Sequence, residues 1–250
     1  NTVTSWHLAQ PLRMLAHNGE INTLLGNVNR LAGREAQLCA SGWLSSEGLR
    51  PLIAPGGSDS MALDNTLEIL CAAGRNPVHA MAMLVPDAYE GKALPKPVHD
   101  FYRYHASLME PWDGPAALVF TNGRTVGAAL DRNGLRPLRY WITDDRVIVA
   151  SEAGVVDVSD EEIRVKGRLG PGKMISVNTA TGRVFYDEDI KSELAEMGPW
   201  TDWLERNARR FEAVGVATVP SDDLVDQQKC FGWGREHVEK VLEPMAFEGR

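Results

Sequence analysis

The sequence predicts an α+β fold in which antiparallel sheets are covered by helices. Three observations predict it. Up to about residue 109 the apolar positions recur at helical spacing, as at Ile21, Leu24, Leu25, Val28 and Leu31. Beyond Pro111 they shorten into β-like runs separated by turn dipeptides, Asn122-Gly123 above all. The composition, 44% hydrophobic and 24% charged over 250 residues, is ordinary for a globular chain and long enough for one sizeable core.

In chain order, residues 7–16 read as an extended lead-in strand with Pro11 near its start. The apolar run Met14-Leu15-Ala16 stops at the polar corner His17-Asn18-Gly19, and helical spacing covers residues 20–38, weakened by Gly26 and Gly33. A loop with Pro51, Pro55 and Gly56-Gly57 fills residues 40–57. Ser58-Asp59-Ser60 supplies capping chemistry for a helix carrying Met61, Leu67, Ile69 and Leu70, closed by Gly74. Asn76 ahead of Pro77 starts the next helix, which Pro86 ends, and a fourth covers residues 98–109 after Pro95-Lys96-Pro97. Strands are expected at 116–121, 125–130, 138–142, 147–150, 162–166, 173–178 and 183–186, then a helix at 187–196. A charged, helix-compatible stretch at 203–212, a small-residue segment with Pro220 and a helix at 235–245 complete the chain. A soft boundary near residue 200 separates the domain (1–200) from a linker and the start of a further domain (201–250).

The net charge of −8, with no basic run, argues against a nonspecific nucleic-acid binder. No apolar stretch approaches the ~20 residues needed to span a bilayer. Nothing resembles a signal peptide, and the ends at Asn1 and Arg250 suggest a piece of a longer protein. Cys39, Cys71 and Cys230 are far apart, without Cys-x-x-Cys pairing or a His at ligand spacing, so they read as reduced thiols of a cytosolic chain. Cys39 and Cys71 fall on helical stretches and read as packing residues; Cys230 is more ambiguous, with structure favoured.

Several clusters can carry chemistry. Asn18 offers an amide donor and Gly19 a close backbone approach, an arrangement suited to an oxyanion; an Asn-Gly β-turn is the plainer reading. Asp59 can hold an ammonium group through a charge-assisted bond, or can belong to a helix cap. Asp131-Arg132-Asn133-Gly134-Leu135-Arg136-Pro137 places two arginines beside a carboxylate, either for an anion or as an internal ion-pair turn. Asp113, in Glu110-Pro111-Trp112-Asp113-Gly114-Pro115, either serves a site or closes its loop, and Ser151-Glu152 faces a pocket or caps the next segment of chain. His99 and His105 lack metal-ligand spacing. The Gly-x-x-Gly-x-Gly pattern of residues 167–172 lacks the strand-to-helix setting of a phosphate loop.

Taken together, these stretches resemble the amidotransferase domain of the large subunit of glutamate synthase, a class II (N-terminal-nucleophile) glutamine amidotransferase. The residues that carry the resemblance are Leu8-Ala9-Gln10-Pro11, His17-Asn18-Gly19-Glu20-Ile21-Asn22-Thr23-Leu24 with Gly26-Asn27, Ser58-Asp59-Ser60 and Leu63-Asp64-Asn65. The turns at 109–115 and 131–137 and Ser151-Glu152 complete it. It covers residues 1 to about 200 and implies a partial four-layer αββα sandwich with antiparallel sheets.

The resemblance also implies roles. Asn18 (side chain) and Gly19 (amide) would form the oxyanion hole, and Asp59 would hold the α-amino group of L-glutamine. Asn1, all that remains with Thr2 of the family's Arg-containing stretch, would join Asp59 at the substrate. The family's N-terminal Cys attacks the side-chain amide and ammonia leaves for use with 2-oxoglutarate. That Cys and the carboxylate-binding Arg would precede Asn1, so the chain alone is expected to be inactive. FMN and an iron–sulfur cluster are implied for the full subunit, with no metal or cofactor in this segment. The implied partners are the remainder of the large subunit and either a small NADPH-oxidising subunit or ferredoxin, with no nucleic acid and no membrane. The implied location is the cytoplasm, or a plastid for a ferredoxin-dependent plant enzyme. The alternatives are another class II amidotransferase and a non-catalytic glutamine-binding or scaffold module.

Overall fold

The computed structural model describes residues 5–40, 50–209 and 223–248, side chains at 36–40 and 248 excepted. The chain divides into two compact units, residues 1–208 and 209–250. The first unit contains, in order, β1 (Leu15–Gly19), α1 (Leu24–Ala40), α2 (Asp59–Ala72), α3 (Pro77–Leu84), α4 (Lys96–Ala106), β2 (Ala116–Thr121), β3 (Thr125–Leu130), β4 (Arg139–Ile142) and β5 (Val147–Ala150). It continues with β6 (Val165–Arg168), β7 (Met174–Asn178), β8 (Arg183–Tyr186), α5 (Asp187–Glu196) and α6 (Trp200–Asn207). Among the described residues all pairings are antiparallel, in a five-stranded sheet ordered β1-β2-β3-β7-β8 and a three-stranded sheet ordered β5-β4-β6.

Period-two alternation sorts the side chains of the large sheet onto two cores. Leu15, Ala116, Leu118, Phe120 and Met174 join Leu63, Leu67, Met81, Leu84 and Phe101 of the helices. Ala117, Ala128, Leu130 and Ile175 face the other way and meet Leu138, just ahead of β4, with Tyr140 and Val149 of the small sheet. The described residues therefore supply helix, sheet and sheet of the expected sandwich, and the α+β class with antiparallel sheets is as the sequence predicts.

Where turn chemistry is local, the elements fall where expected. The Asn122 carboxamide accepts from the amides of Arg124 (3.1 Å) and Thr125 (2.9 Å), closing the β2–β3 hairpin. Ser58 Oγ accepts from Met61 N at 3.1 Å and Asn76 Oδ1 from Val78 N at 2.8 Å, capping α2 and α3.

Other elements shift for nonlocal reasons. The lead-in strand is β1, Leu15–Gly19, with only a 3₁₀ turn at Trp6–Leu8 before it. Asn18-Gly19 is thus an extended strand end paired with Ala117 and Ala116, not a β-turn. α1 starts at Leu24 rather than residue 20, because the amides of Asn22 (2.7 Å) and Thr23 (3.3 Å) donate to the Asp113 carbonyl. Pro97 lies in the first turn of α4 rather than before it, where a missing N–H costs nothing. β6 is displaced to Val165–Arg168 by its register with β4. α6 begins at Trp200, ahead of the charged run.

The second unit holds α7 (Leu224–Cys230), which the sequence pattern did not suggest. It also holds consecutive helical stretches Arg235–His237, Val238–Leu242 (a π turn) and Glu243–Glu248. The expected features at Asn1, at 41–49 of the Pro-rich loop and at 213–222, and the packing of the Cys39 side chain, lie outside the described residues.

Candidate functional site

β1 is an edge strand of the large sheet, and its exposed edge organises the site. Thr121 N donates to Met14 O (2.8 Å) and Glu20 N to Pro115 O (3.0 Å), so the even-numbered residues of β1 face β2. By antiparallel alternation the amides of residues 15, 17, 19 and 21 point outward. Side chains occupy most of them. Asp64 Oδ1 accepts from Leu15 N (2.9 Å) and also from Met14 N (2.8 Å). Gln10 Oε1 accepts from His17 N (2.6 Å), and Asp59 Oδ2 from Ile21 N (2.9 Å). Among the described residues no side-chain acceptor reaches the Gly19 amide. It stands open on the same edge as the Asp59 carboxylate.

The approach to β2 explains the glycine. A Cβ at Gly19 would lie 1.9 Å from Pro115 O, and one at Gly114 would lie 2.0 Å from Glu20 O. The two backbones therefore close on one another with no room for side chains. The loop 110–115 is fixed from several directions. Trp112 is buried, with its amide donating to Leu84 O at 2.7 Å, and Glu110 receives both arms of Arg34 and one of Arg30.

The Asn18 side chain leaves the opposite face of β1 from His17. It is exposed, and Nδ2 donates to Ser151 Oγ at 3.1 Å. An amide nitrogen carries two hydrogens, so one remains for a ligand. Ser151 follows β5, and the small sheet thus orients the Asn18 donor. On the helix side, His17 Nε2 lies 2.5 Å from Ser60 Oγ and 3.9 Å from Asp59 Oδ1, with the ring 2% exposed. Burial, reinforced by the charge of Arg136 and opposed by Asp59, holds the His17 pKa below its ordinary value, so the ring is neutral at pH 7.

The sequence-predicted residues therefore divide. Asn18, Gly19 and Asp59 gather at one end of β1; Asn1 lies outside the described residues. Asp131 does not pair with the arginines of its turn. It is buried and accepts the amides of Ala116 (3.1 Å), Asn133 (3.1 Å) and Leu135 (3.3 Å), while Arg132 grips Asp113 through both carboxylate oxygens. Asp113 thus closes its loop. Cys71 is half-buried, with burial pushing its thiol up to about 11, an inert state, and Cys230 is exposed. His105 is buried and partnered by His79 at 2.9 Å, a residue the sequence pattern did not single out. Ser60 and Gln10, quoted in the sequence only within motif stretches, join the site through contacts that no local spacing announces.

A cavity of about 550 Å³ lies between the sheets against Val119, Ile142, Val149, Ile175, Val177 and Val184. Of its rim charges, Asp144 pairs with Arg164 and Asp145 with Arg146, so among the described residues it presents no convergent free charge. Among the described residues no group of three or more His, Cys, Asp or Glu is placed to hold a metal ion.

A family model described as "Glutamine amidotransferases class-II" matches residues 1–203. The chain is 46% identical over its whole length to "Ferredoxin-dependent glutamate synthase 2" of Synechocystis and 43% identical to "Glutamate synthase [NADPH] large chain" of Bacillus subtilis. It spans 17% of the length of each of these relatives. A solved glutamine phosphoribosylpyrophosphate amidotransferase from B. subtilis aligns over 74% of this chain and 33% of its own, at 21% identity and a TM-score of 0.42.

Proposed function

Because the chain belongs to the class II glutamine amidotransferases, we propose that it is part of the glutaminase domain of a glutamate synthase large subunit. In this reading L-glutamine is hydrolysed to glutamate and ammonia, and the ammonia converts 2-oxoglutarate to glutamate elsewhere in the polypeptide. The observation that carries the reading is the open Gly19 amide beside the Asn18 carboxamide and the Asp59 carboxylate, on an edge whose neighbouring amides are already occupied.

The chemistry follows from that geometry. A thiolate supplied from outside the described residues attacks the side-chain carbonyl of glutamine, and the carbonyl oxygen takes on negative charge. Gly19 N–H and the second Asn18 Nδ2 hydrogen receive that oxygen, while the Asp59 carboxylate holds the α-ammonium group. Fixed neutral donors stabilise the developing charge without having to reorganise. FMN and an iron–sulfur cluster supply the redox chemistry of the synthase half-reaction and are assigned to portions of the subunit beyond this chain. Residues 201–250 are assigned to a linker and the start of the next domain. Both ferredoxin-dependent and NADPH-dependent synthases are among the relatives, and the partner is accordingly ferredoxin or an NADPH-oxidising subunit.

The test is ammonia release from glutamine by the full-length protein, with and without 2-oxoglutarate and a reductant. Glutamine-dependent ammonia formation, diverted into glutamate when the second substrate is present, supports the assignment. A protein that binds glutamine without releasing ammonia would be a binding module instead.

A further inference from the structure

Among the described residues, the Asp59 carboxylate is held by neutral donors. Oδ2 accepts from Ile21 N at 2.9 Å, and Oδ1 accepts from Ser60 N at 2.7 Å and from the Ser60 hydroxyl at 3.3 Å. The nearest ionisable partner, His17, is neutral at pH 7. Several other carboxylates of the domain are matched with cations, among them Asp113 with Arg132, Glu110 with Arg34, and Asp87 with Lys191 and Lys92. Asp64 and Asp131, which accept backbone amides, are only 2% exposed, whereas the Asp59 side chain is 23% exposed. Asp59 thus has no Lys or Arg partner among the described residues and keeps an open side.

The hydrogen inventory fixes the order of the chain behind it. A carboxylate only accepts, so the single Ser60 hydroxyl hydrogen goes to Asp59. The Ser60 oxygen then accepts from His17 across 2.5 Å, which places the ring proton on Nε2. His17 Nδ1 is left as a bare lone pair, and it is buried without a partner among the described residues. The opposite tautomer would strand an N–H donor in that position, the costlier arrangement.

We infer that His17 and Ser60 are positioning residues for substrate recognition: through the Ser60 hydroxyl they lock the rotation of the Asp59 carboxylate, so that its open oxygen faces an α-ammonium group. This rests on the reading of Asp59 as the ammonium anchor of glutamine. Neither residue touches the substrate, and neither brings a charge that would compete with it.

The test compares two substrates in the full-length protein: glutamine, and glutaramate, which is glutamine without its α-amino group. Ser60→Ala and His17→Gln are each expected to raise KM for glutamine about tenfold, the effect of one charged hydrogen bond. Turnover of glutamine at saturation, and all constants for glutaramate, stay within about threefold of wild type, a shift below one such bond. Ser60→Thr, which keeps the hydroxyl, retains the wild-type preference. Asp59→Asn separates the anchor from its positioning. If it abolishes the preference for glutamine while Ser60→Ala leaves that preference intact, the positioning role is overturned and the anchor stands. If Asp59→Asn itself leaves the preference intact, the anchor falls and this inference with it. Equal losses on both substrates in Ser60→Ala and His17→Gln would mark a purely structural role and overturn the proposal.

Discussion

Asn18 and the buried His79–His105 pair show what single residues decide. Removing one oxyanion donor costs about 10²–10³ in turnover. Asn18→Ala in the full-length protein is therefore expected to lower kcat for ammonia release by that factor with KM little changed, and steady-state kinetics check it. The histidine pair acts on stability instead. His105 Nδ1 lies 2.8 Å from the Phe101 carbonyl, which only accepts, so Nδ1 is protonated and His105 Nε2 accepts from His79 across 2.9 Å. Burial pushes His79 down to about 3, with His105 and Arg75 adding to the effect, and pushes His105 down to about 4. In the unfolded chain both titrate near 6.5, so between about 6.5 and 4 the unfolded state binds more protons. The stability from the neutral pair is complete above about pH 6.5 and declines as pH falls toward 4. Urea midpoints measured from pH 7.5 to 4.5 should fall, and less steeply in His79→Gln, which cannot protonate.

At the scale of the element, the end of β1 depends on two opposed glycines. A Cβ at Gly114 would meet the backbone of Glu20 at 2.0 Å and of Asn22 at 2.9 Å, atoms that cannot rotate aside. Gly114→Ala is expected to lower unfolding free energy by about 1–3 kcal/mol or more through forced separation of the strands. Chemical denaturation measures the loss, and glutamine turnover falls with it because Gly19 moves. The same element marks the limit of reading from sequence. The β2–β3 hairpin and α5 were legible because their determinants, Asn122-Gly123 and the acidic first turn Asp187-Glu188-Asp189, lie within a few residues. β1 was legible only as a lead-in strand over residues 7–16 and not in its span, since Leu15–Gly19 has no β-branched residue and its partner strand lies far along the chain. Likewise Asn18, Gly19 and Asp59 stood out through motif, whereas the contacts of Ser151, Gln10 and the His17–Ser60 pair exist only once the sheets and α2 are assembled.

Across the whole molecule, protection should follow burial. The first unit encloses Leu63, Leu67, Met81, Leu84 and Leu118 at 0% exposure, while none of residues 223–247 is buried. Amide exchange in the 250-residue chain is expected to be slow in β2, β3 and β7 and fast in α7 and the helical stretches after it, as measured by mass spectrometry. Comparable protection in both units would show a second core. The layered order was readable from the shift in periodicity after Pro111, but which sheet covers which depends on pairings between distant strands. The decorated margin of β1 also bears on how whole molecules meet. Another strand laid along it would need a regular series of vacancies two residues apart, and it finds Asp64, Gln10 and Asp59 already seated there. Self-templated fibre growth is refused at this border, while one small acceptor atom is still admitted at position 19.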